Sequence, residues 1–234
     1  MQYVKIKDAI VEQIDAGMLT PRQKLPAERK LAESFDTTRV TLREALSLLE
    51  AEGKIYREDR RGWFISPETL RYDPSQTLNF TNMALAQNRQ PNTELLSAKA
   101  VIANKQATKL LNLKPFSDVY RVDRVRYLEN RPVVYVTNYI RPELFPNLLD
   151  FDLSNSLTDI YREHFGTQYQ TIRYRITTSS LLGETAQALR ATAGTPAMVV
   201  ERVNYNQNGD LIDCDIEYWR HDAISIESVA QLSR

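Results

Sequence analysis

Leu25-Pro-Ala-Glu-Arg-Lys-Leu-Ala-Glu-Ser-Phe-Asp-Thr-Thr-Arg-Val-Thr-Leu-Arg-Glu-Ala-Leu46 decides how the first part of this chain folds. Leu31, Ala32 and Phe35 give the segment from Ala27 to Ser34 one apolar side, so it reads as a short helix. Asp36 and the two threonines after it mark a turn. From Thr38 or Arg39 to about Glu52, Leu42, Ala45, Leu46 and Leu49 recur at spacings of three and four, the signature of a second helix, and Gly53 closes it. Upstream, Tyr3, Ile6, Ile10 and Ile14 predict an amphipathic helix over 3–16 that Gly17 ends. Downstream, the β-prone runs Lys54-Ile-Tyr-Arg and Trp63-Phe-Ile-Ser flank the charged tip Glu58-Asp-Arg-Arg-Gly62, which reads as a hairpin. The order is helix, helix-turn-helix, wing.

The chain has 234 residues, 42% of them hydrophobic and 26% charged, which excludes a disordered or collagen-like protein and makes two domains the better expectation. Thirty Lys plus Arg offset thirty Asp plus Glu. Bulk charge therefore gives no argument for a nucleic-acid partner, and any DNA contact must come from local arrangement. A single cysteine, Cys214, excludes an internal disulfide, and no Cys/His cluster has metal-ligand spacing. The first residues lack the apolar core of a signal peptide, and no apolar run is long enough to span a bilayer. The expectation is a cytoplasmic protein with no membrane partner, no metal and no cofactor.

Domain boundaries follow from composition. Residues 1–66 make the winged helix-turn-helix domain; 67–76, with Pro67 and Pro74 and no periodicity, make a linker; 77–234 make the second domain. That second part predicts strands near 95–103, 118–128, 132–140, 168–178, 197–206 and 211–220, with helices near 104–112, 154–165 and 182–191. Glu129-Asn-Arg-Pro132 and Asn208-Gly209 have hairpin chemistry. Strands outnumber helices, so the fold class is α+β with a mostly antiparallel sheet.

In the third helix Arg39 and Arg43 are four residues apart, beside the apolar stripe. Arginine's fork matches the O6 and N7 acceptors of guanine, so these two are the base-reading candidates. Arg29, Thr38 and Thr41 suit phosphate contacts. Arg60 and Arg61 at the wing tip could reach a minor groove, with Gly62 allowing close approach. The plain alternative is a solvated charged face, since Arg39 to Arg61 also holds Glu44, Glu50, Glu52, Glu58 and Asp59.

Residues 25–35, 37–46 and 49–57 together resemble the DNA-binding domain of the GntR superfamily over roughly 3–66. In that family the positions matching Arg29, Arg39, Thr41, Arg43 and Gly62 contact operator DNA. The wing departs from the usual small, polar tip by carrying Asp59-Arg-Arg-Gly-Trp63.

Tyr120, Val122, Arg124, Arg126 and Leu128 share one face of a strand. Two guanidiniums beside large apolar groups call for an anion if that face is inward, and a phosphate or phosphonate suits paired forks best. Pairing with protein carboxylates or solvent exposure remain the alternatives. Leu78-Asn-Phe-Thr81, Tyr120 through Arg126, Asn155-Ser-Leu-Thr-Asp159, Val203 through Gly209 and Tyr218-Trp-Arg-His-Asp222 resemble the UTRA effector domain of the HutC subfamily over roughly 76–230, a fold similar to chorismate lyase. The resemblance implies that Thr81, Arg124, Arg126 and Ser156 hold a phosphate and that Phe80, Asp213 and Trp219 line the rest. Val136 stands where amino-sugar-phosphate sensors carry a glutamate, and Thr158 where a tyrosine is expected near the phosphate. With Asp213 as a possible partner for an amine, a small amino-phosphonate fits these departures, and the region from Tyr56 to Pro67 with Arg71-Tyr-Asp-Pro74 is similar to phosphonate-utilisation regulators. The implied function is a homodimeric, effector-controlled binder of double-stranded operator DNA, acting as repressor or activator according to where the operator lies relative to the promoter, with a sugar-phosphate sensor as the nearest alternative.

Two other classes fit the sequence less well. A small-anion lyase is disfavoured because the chain holds only His164 and His221 and no G-x-S-x-G, Walker-type loop or G-x-G-x-x-G, so no catalytic residue is assigned. A constitutive architectural binder would not need a second domain with a charged pocket.

Overall fold

The structure is a computed structural model that describes residues 1–76 and 78–231. Thr77 and residues 232–234, which the reading above places in the second domain, lie outside the described residues. The chain forms two compact units, and neither is a single run of sequence.

The first unit comprises Met1–Arg71, Ser180–Pro196 and Arg220–Ser225. Its helices are α1 (Gln2–Asp15), α2 (Glu28–Ser34) and α3 (Arg39–Ala51). Ile6 and Ile10 of α1, Leu31 and Ala32 of α2, and Leu42, Ala45, Leu46 and Leu49 of α3 meet in one buried cluster with Leu25, Ile55, Trp63 and Ile65. The three-and-four spacing in the sequence is thus the core face of each helix. Thr38 caps α3, its Oγ1 accepting the Thr41 N–H at 3.2 Å, and Asp36 takes a positive φ of 46° in the turn before it. The wing is β1 (Ile55–Glu58) paired antiparallel with β2 (Gly62–Ile65), Glu58 opposite Gly62.

The later segments of this unit pack on the back of the wing and on the end of α3. Arg220 is 1% exposed; it donates to Leu189 O at 2.7 Å and Arg57 O at 2.6 Å and lies over the Tyr56 ring. Asp59 N–H bonds Arg190 O, and Ser66 Oγ donates to Asp222 at 3.2 Å. Where the sequence showed no periodicity, Leu70–Tyr72 forms a strand (β3), and Leu70 N–H bonds Ala223 O. Three residues are too few to leave a pattern.

The second unit comprises Tyr72–Ser179, Ala197–Trp219 and the chain from Ile226. Its elements are α4 (Phe80–Leu85), β4 (Pro91–Ile102), α5 (Lys105–Leu110), β5 (Asp118–Leu128), β6 (Arg131–Ile140), α6 (Leu157–Phe165), β7 (Tyr169–Ser180), β8 (Pro196–Asn206) and β9 (Leu211–Arg220). The remaining helix, α7 (Gly183–Ala188), belongs to the first unit. Six strands form one sheet in the order β4-β5-β6-β9-β8-β7, and the β4/β5, β5/β6 and β6/β9 pairs are antiparallel. Glu129 and Asn130 both take positive φ, the geometry of a tight two-residue hairpin turn. On one sheet face α5 packs Ala107, Leu110 and Leu111 against Val119, Tyr139, Cys214 and Ile216. On the other, α6 and the chain before it pack Phe145, Leu148, Leu153, Leu157, Ile160 and Tyr161 against Val122 and Ile140. The architecture is α+β: a winged helix-turn-helix followed by a largely antiparallel sheet with helices. Among the described residues, no helix is long and apolar enough to cross a membrane.

Candidate DNA-binding and effector sites

In the first unit, α3 leaves one side free of the core. Arg39 there makes no ion pair within the described chain, while Arg43 Nε donates to Glu28 Oε2 at 2.8 Å. Glu28 Oε1 accepts the indole N–H of Trp63 at 3.2 Å. Partial burial pushes the Glu28 carboxyl up, but the bonds from Arg43 and Trp63 and the nearby charge of Arg57 outweigh it and hold the group below its usual range. Arg29 pairs loosely with Glu33 at 3.4 Å on the surface, and Thr38 and Thr41 are committed to the α3 cap. At the wing tip the two arginines differ. Arg60 projects outward, 3.8 Å from Asp59, whereas Arg61 folds back onto Glu58 and the Phe64 ring. Gly62 has φ +104°, which a side chain would strain, while an added Cβ would only touch the flexible Lys24 side chain at 3.4 Å.

In the second unit, the register aligns three rows across one sheet face. Arg126, Val134 and Trp219 make the first, Arg124, Val136 and Glu217 the second, and Val122, Asn138 and Asp215 the third. This face is interior. Asp213, Asp215 and Glu217 are all at most 3% exposed, so the acidic side of β9 is buried and not a solvated exterior. Arg202 and Asn204 of β8 complete it: Asn204 Nδ2 donates to Asp213 at 2.7 Å and Asp215 at 3.1 Å, and Arg202 lies 3.8 Å from Asp215 and 3.7 Å from Glu217.

The charges on this face are unevenly paired. Arg124 donates to Leu153 O, Asn155 O and Asn138 Oδ1, all neutral oxygens, and its Nε has no partner among the described residues. Burial first, and repulsion by Arg126 second, push its pKa down to about 9, so it is still a cation at neutral pH. Arg126 stands 3.9 Å from Glu217, its guanidinium 5.2 Å from the centre of the Phe80 ring. Asp213 by contrast is full: Tyr161, Tyr169 and Asn204 all donate to it. Burial and the charge of Asp215 still raise it to about 6 against those three bonds.

Phe80 packs on Trp219 at 6.2 Å, and Asn79, which caps α4, donates to Ser156 Oγ at 3.3 Å and to Asp159 at 3.1 Å. Ser156 caps α6, so the Arg124-bonded carbonyl of Asn155 sits at that helix's N-terminus. The structure therefore gathers Phe80, Arg124, Arg126, Ser156, Asp213 and Trp219. Thr81 is exposed on α4, and Thr158 lies half-buried in the first turn of α6. Sequence reasoning passed over Asn138, Tyr161, Tyr169, Arg202 and Asn204. Alternation along β8 could have flagged Arg202 and Asn204 as facing one way, but only register shows that they meet β9. Among the described residues, no group of three His, Cys, Asp or Glu could hold a metal ion.

The fold is a winged helix-turn-helix with a second, sheet-containing unit, and comparison places the family. The chain matches the gntR family of bacterial regulatory proteins over residues 2–65 and the UTRA domain over residues 86–225. It belongs to the GntR family and is a transcriptional regulator of the GntR/HutC type. It is 30% identical to the uncharacterized HTH-type transcriptional regulator YihL of Escherichia coli (strain K12), with 94% of each chain covered. It is 26% identical to the HTH-type transcriptional repressor NagR of Bacillus subtilis (strain 168), with 94% of this chain and 90% of that protein covered. The crystal structure of PhnF from Mycobacterium smegmatis has the same fold, with a TM-score of 0.68 at 24% identity over 97% of this chain and 100% of that one.

Proposed function

We propose that this regulator binds a two-fold symmetric double-stranded operator in the cytoplasm as a homodimer, and that a small phosphorylated or phosphonate metabolite held by Arg124 and Arg126 controls that binding. Paired reading heads are what a two-fold operator requires. The observation that carries the effector class is Arg124, a buried guanidinium bonded, among the described residues, only by neutral oxygens. A buried cation without a counterion is destabilising, and a dianionic group at the Arg pair relieves it with charge-assisted bonds. Thr81, Ser156 and Thr158 would supply hydroxyls to the anion, and Phe80 and Trp219 form an apolar wall beside Arg126.

The leading effector is a small amino-phosphonate. Its amine would answer Glu217, whose Oε1 stands 3.7–3.9 Å from two guanidiniums, rather than the filled Asp213. A sugar phosphate is the second reading, favoured by Asn204 Oδ1, a buried acceptor with no donor among the described residues that a hydroxyl would satisfy. On the DNA side, Arg39 and Arg43 read bases, Arg29, Thr38 and Thr41 contact phosphates, and Arg60, Arg61 and Gly62 approach the minor groove. For the effector to act it must favour one arrangement of the protein over another, with couplings typically of about 1–3 kcal/mol.

The test is thermal stability of the full chain against aminoalkylphosphonates, sugar phosphates, carboxylates and inorganic phosphate, repeated with Arg126→Ala. Ligands that bind only the native state raise its stability with the logarithm of their excess over Kd. A phosphonate or phosphate shift present in the parent and absent in the variant supports the reading. Stabilisation by carboxylates alone contradicts it.

A further inference from the structure

We infer that Glu28 is a specificity-determining positioning residue: it aims Arg43 at the major groove, and Trp63 of the wing in turn holds Glu28. The inference deepens the reading of Arg43 as a base-contacting residue and rests on it.

Glu28 opens α2, and its side chain is 19% exposed while that of Arg43 is 63% exposed. Its two oxygens are divided between two elements, Oε2 accepting from Arg43 Nε of α3 and Oε1 from Trp63 Nε1 of β2. Trp63 is itself fixed, 6% exposed, within the core cluster and under the Arg57 guanidinium at 5.5 Å. An arginine carries a side edge at Nε and a terminal fork at its two Nη atoms. Bidentate recognition of guanine O6 and N7 can use the fork. Here the carboxylate takes Nε alone, so Arg43 is oriented with its fork still available. Arg39, with no such tether, has its full rotamer freedom to lose on binding.

A carboxylate near the phosphate backbone also repels it, so Glu28 opposes binding to DNA of any sequence while favouring the right one. That opposite sign separates positioning from a structural role. Losing a structural residue weakens both kinds of binding; losing Glu28 weakens only the discriminating kind.

The experiment uses the full chain, a duplex that the wild-type chain selects from random DNA, copies with each G·C pair changed to A·T, and a shuffled duplex of equal length. Glu28→Gln keeps an acceptor for Trp63 and removes the charge. It is expected to lower discrimination at one G·C pair by roughly three- to tenfold, part of the value of a bidentate contact, and to tighten binding to the shuffled duplex. Trp63→Phe frees one carboxylate oxygen and is expected to move discrimination the same way by less. In an Arg43→Ala background, Glu28→Gln should no longer change discrimination. Equal weakening on selected and shuffled DNA, or unchanged discrimination, overturns the proposal. If Arg43→Ala itself leaves every base preference intact, Arg43 does not read bases and the inference falls with it. If Arg43→Ala abolishes a preference that Glu28→Gln leaves untouched, only the positioning role fails.

Discussion

Arg124 Nη2 donates to Asn138 Oδ1 at 2.9 Å, so a guanidinium buried on the interior sheet face meets a neutral side chain where a carboxylate would close an ion pair. Asn138→Asp supplies that carboxylate. The new charge competes with any anion at Arg124, and anion affinity is expected to fall by roughly ten- to a hundredfold, the scale of one unit charge in a partly shielded interior. Calorimetry with inorganic phosphate or the best phosphonate checks it.

Asp213 carries a pH signature. Its folded-state pKa of about 6 lies above the ordinary 3.8, so the folded protein binds more protons than the unfolded chain between those values. Below about 4 both states are protonated and the group is neutral in effect. Between about 4 and 6 the unfolded chain ionises this group while the folded state keeps the proton, so stability falls across that window, by on the order of 3 kcal/mol from this group alone, and levels off above 6. Asp213→Asn is expected to flatten that part of the profile, measured as the difference in urea-unfolding free energy between variant and parent from pH 4 to 7.

Arg220 ties Arg57 of the wing to Leu189, both through backbone carbonyls, and covers the Tyr56 ring. Arg220→Ala leaves those carbonyls without a donor and opens space in a packed region. A loss of about 3 kcal/mol is expected in urea unfolding. Retention of parent stability would mean that these segments do not support the wing.

Arg60 is the wing-tip cation left outward, since Arg61 folds onto Glu58. Arg60→Ala should weaken binding evenly across sequences and reduce the slope of log affinity against log salt by about 1. Band-shift titrations at several salt concentrations read both.

Much of this was legible in the sequence because local periodicity encodes burial. Ile6 and Ile10, and Leu42 through Leu49, name their own core faces, and Glu129-Asn130 announces its turn. The α4 helix was missed as an element because six residues are too short for a helical period to show. Arg124 and Arg126 could be placed on one face by alternation alone. What alternation cannot give is which neighbour lies across, so the burial of Asp215 and Glu217 needed the β6/β9 register. Likewise, Glu28 and Trp63 are 35 residues apart, and nothing in their spacing tells of one carboxylate shared between helix and wing.

The most direct test of the account is operator affinity as a function of the stabilising phosphonate or phosphate, measured for the parent chain and for Arg126→Ala. The account predicts that the ligand changes operator affinity in the parent by roughly five- to a hundredfold, the usual range of allosteric coupling, and leaves the variant's affinity unchanged. An equal ligand response in both proteins would contradict control through the Arg124/Arg126 face.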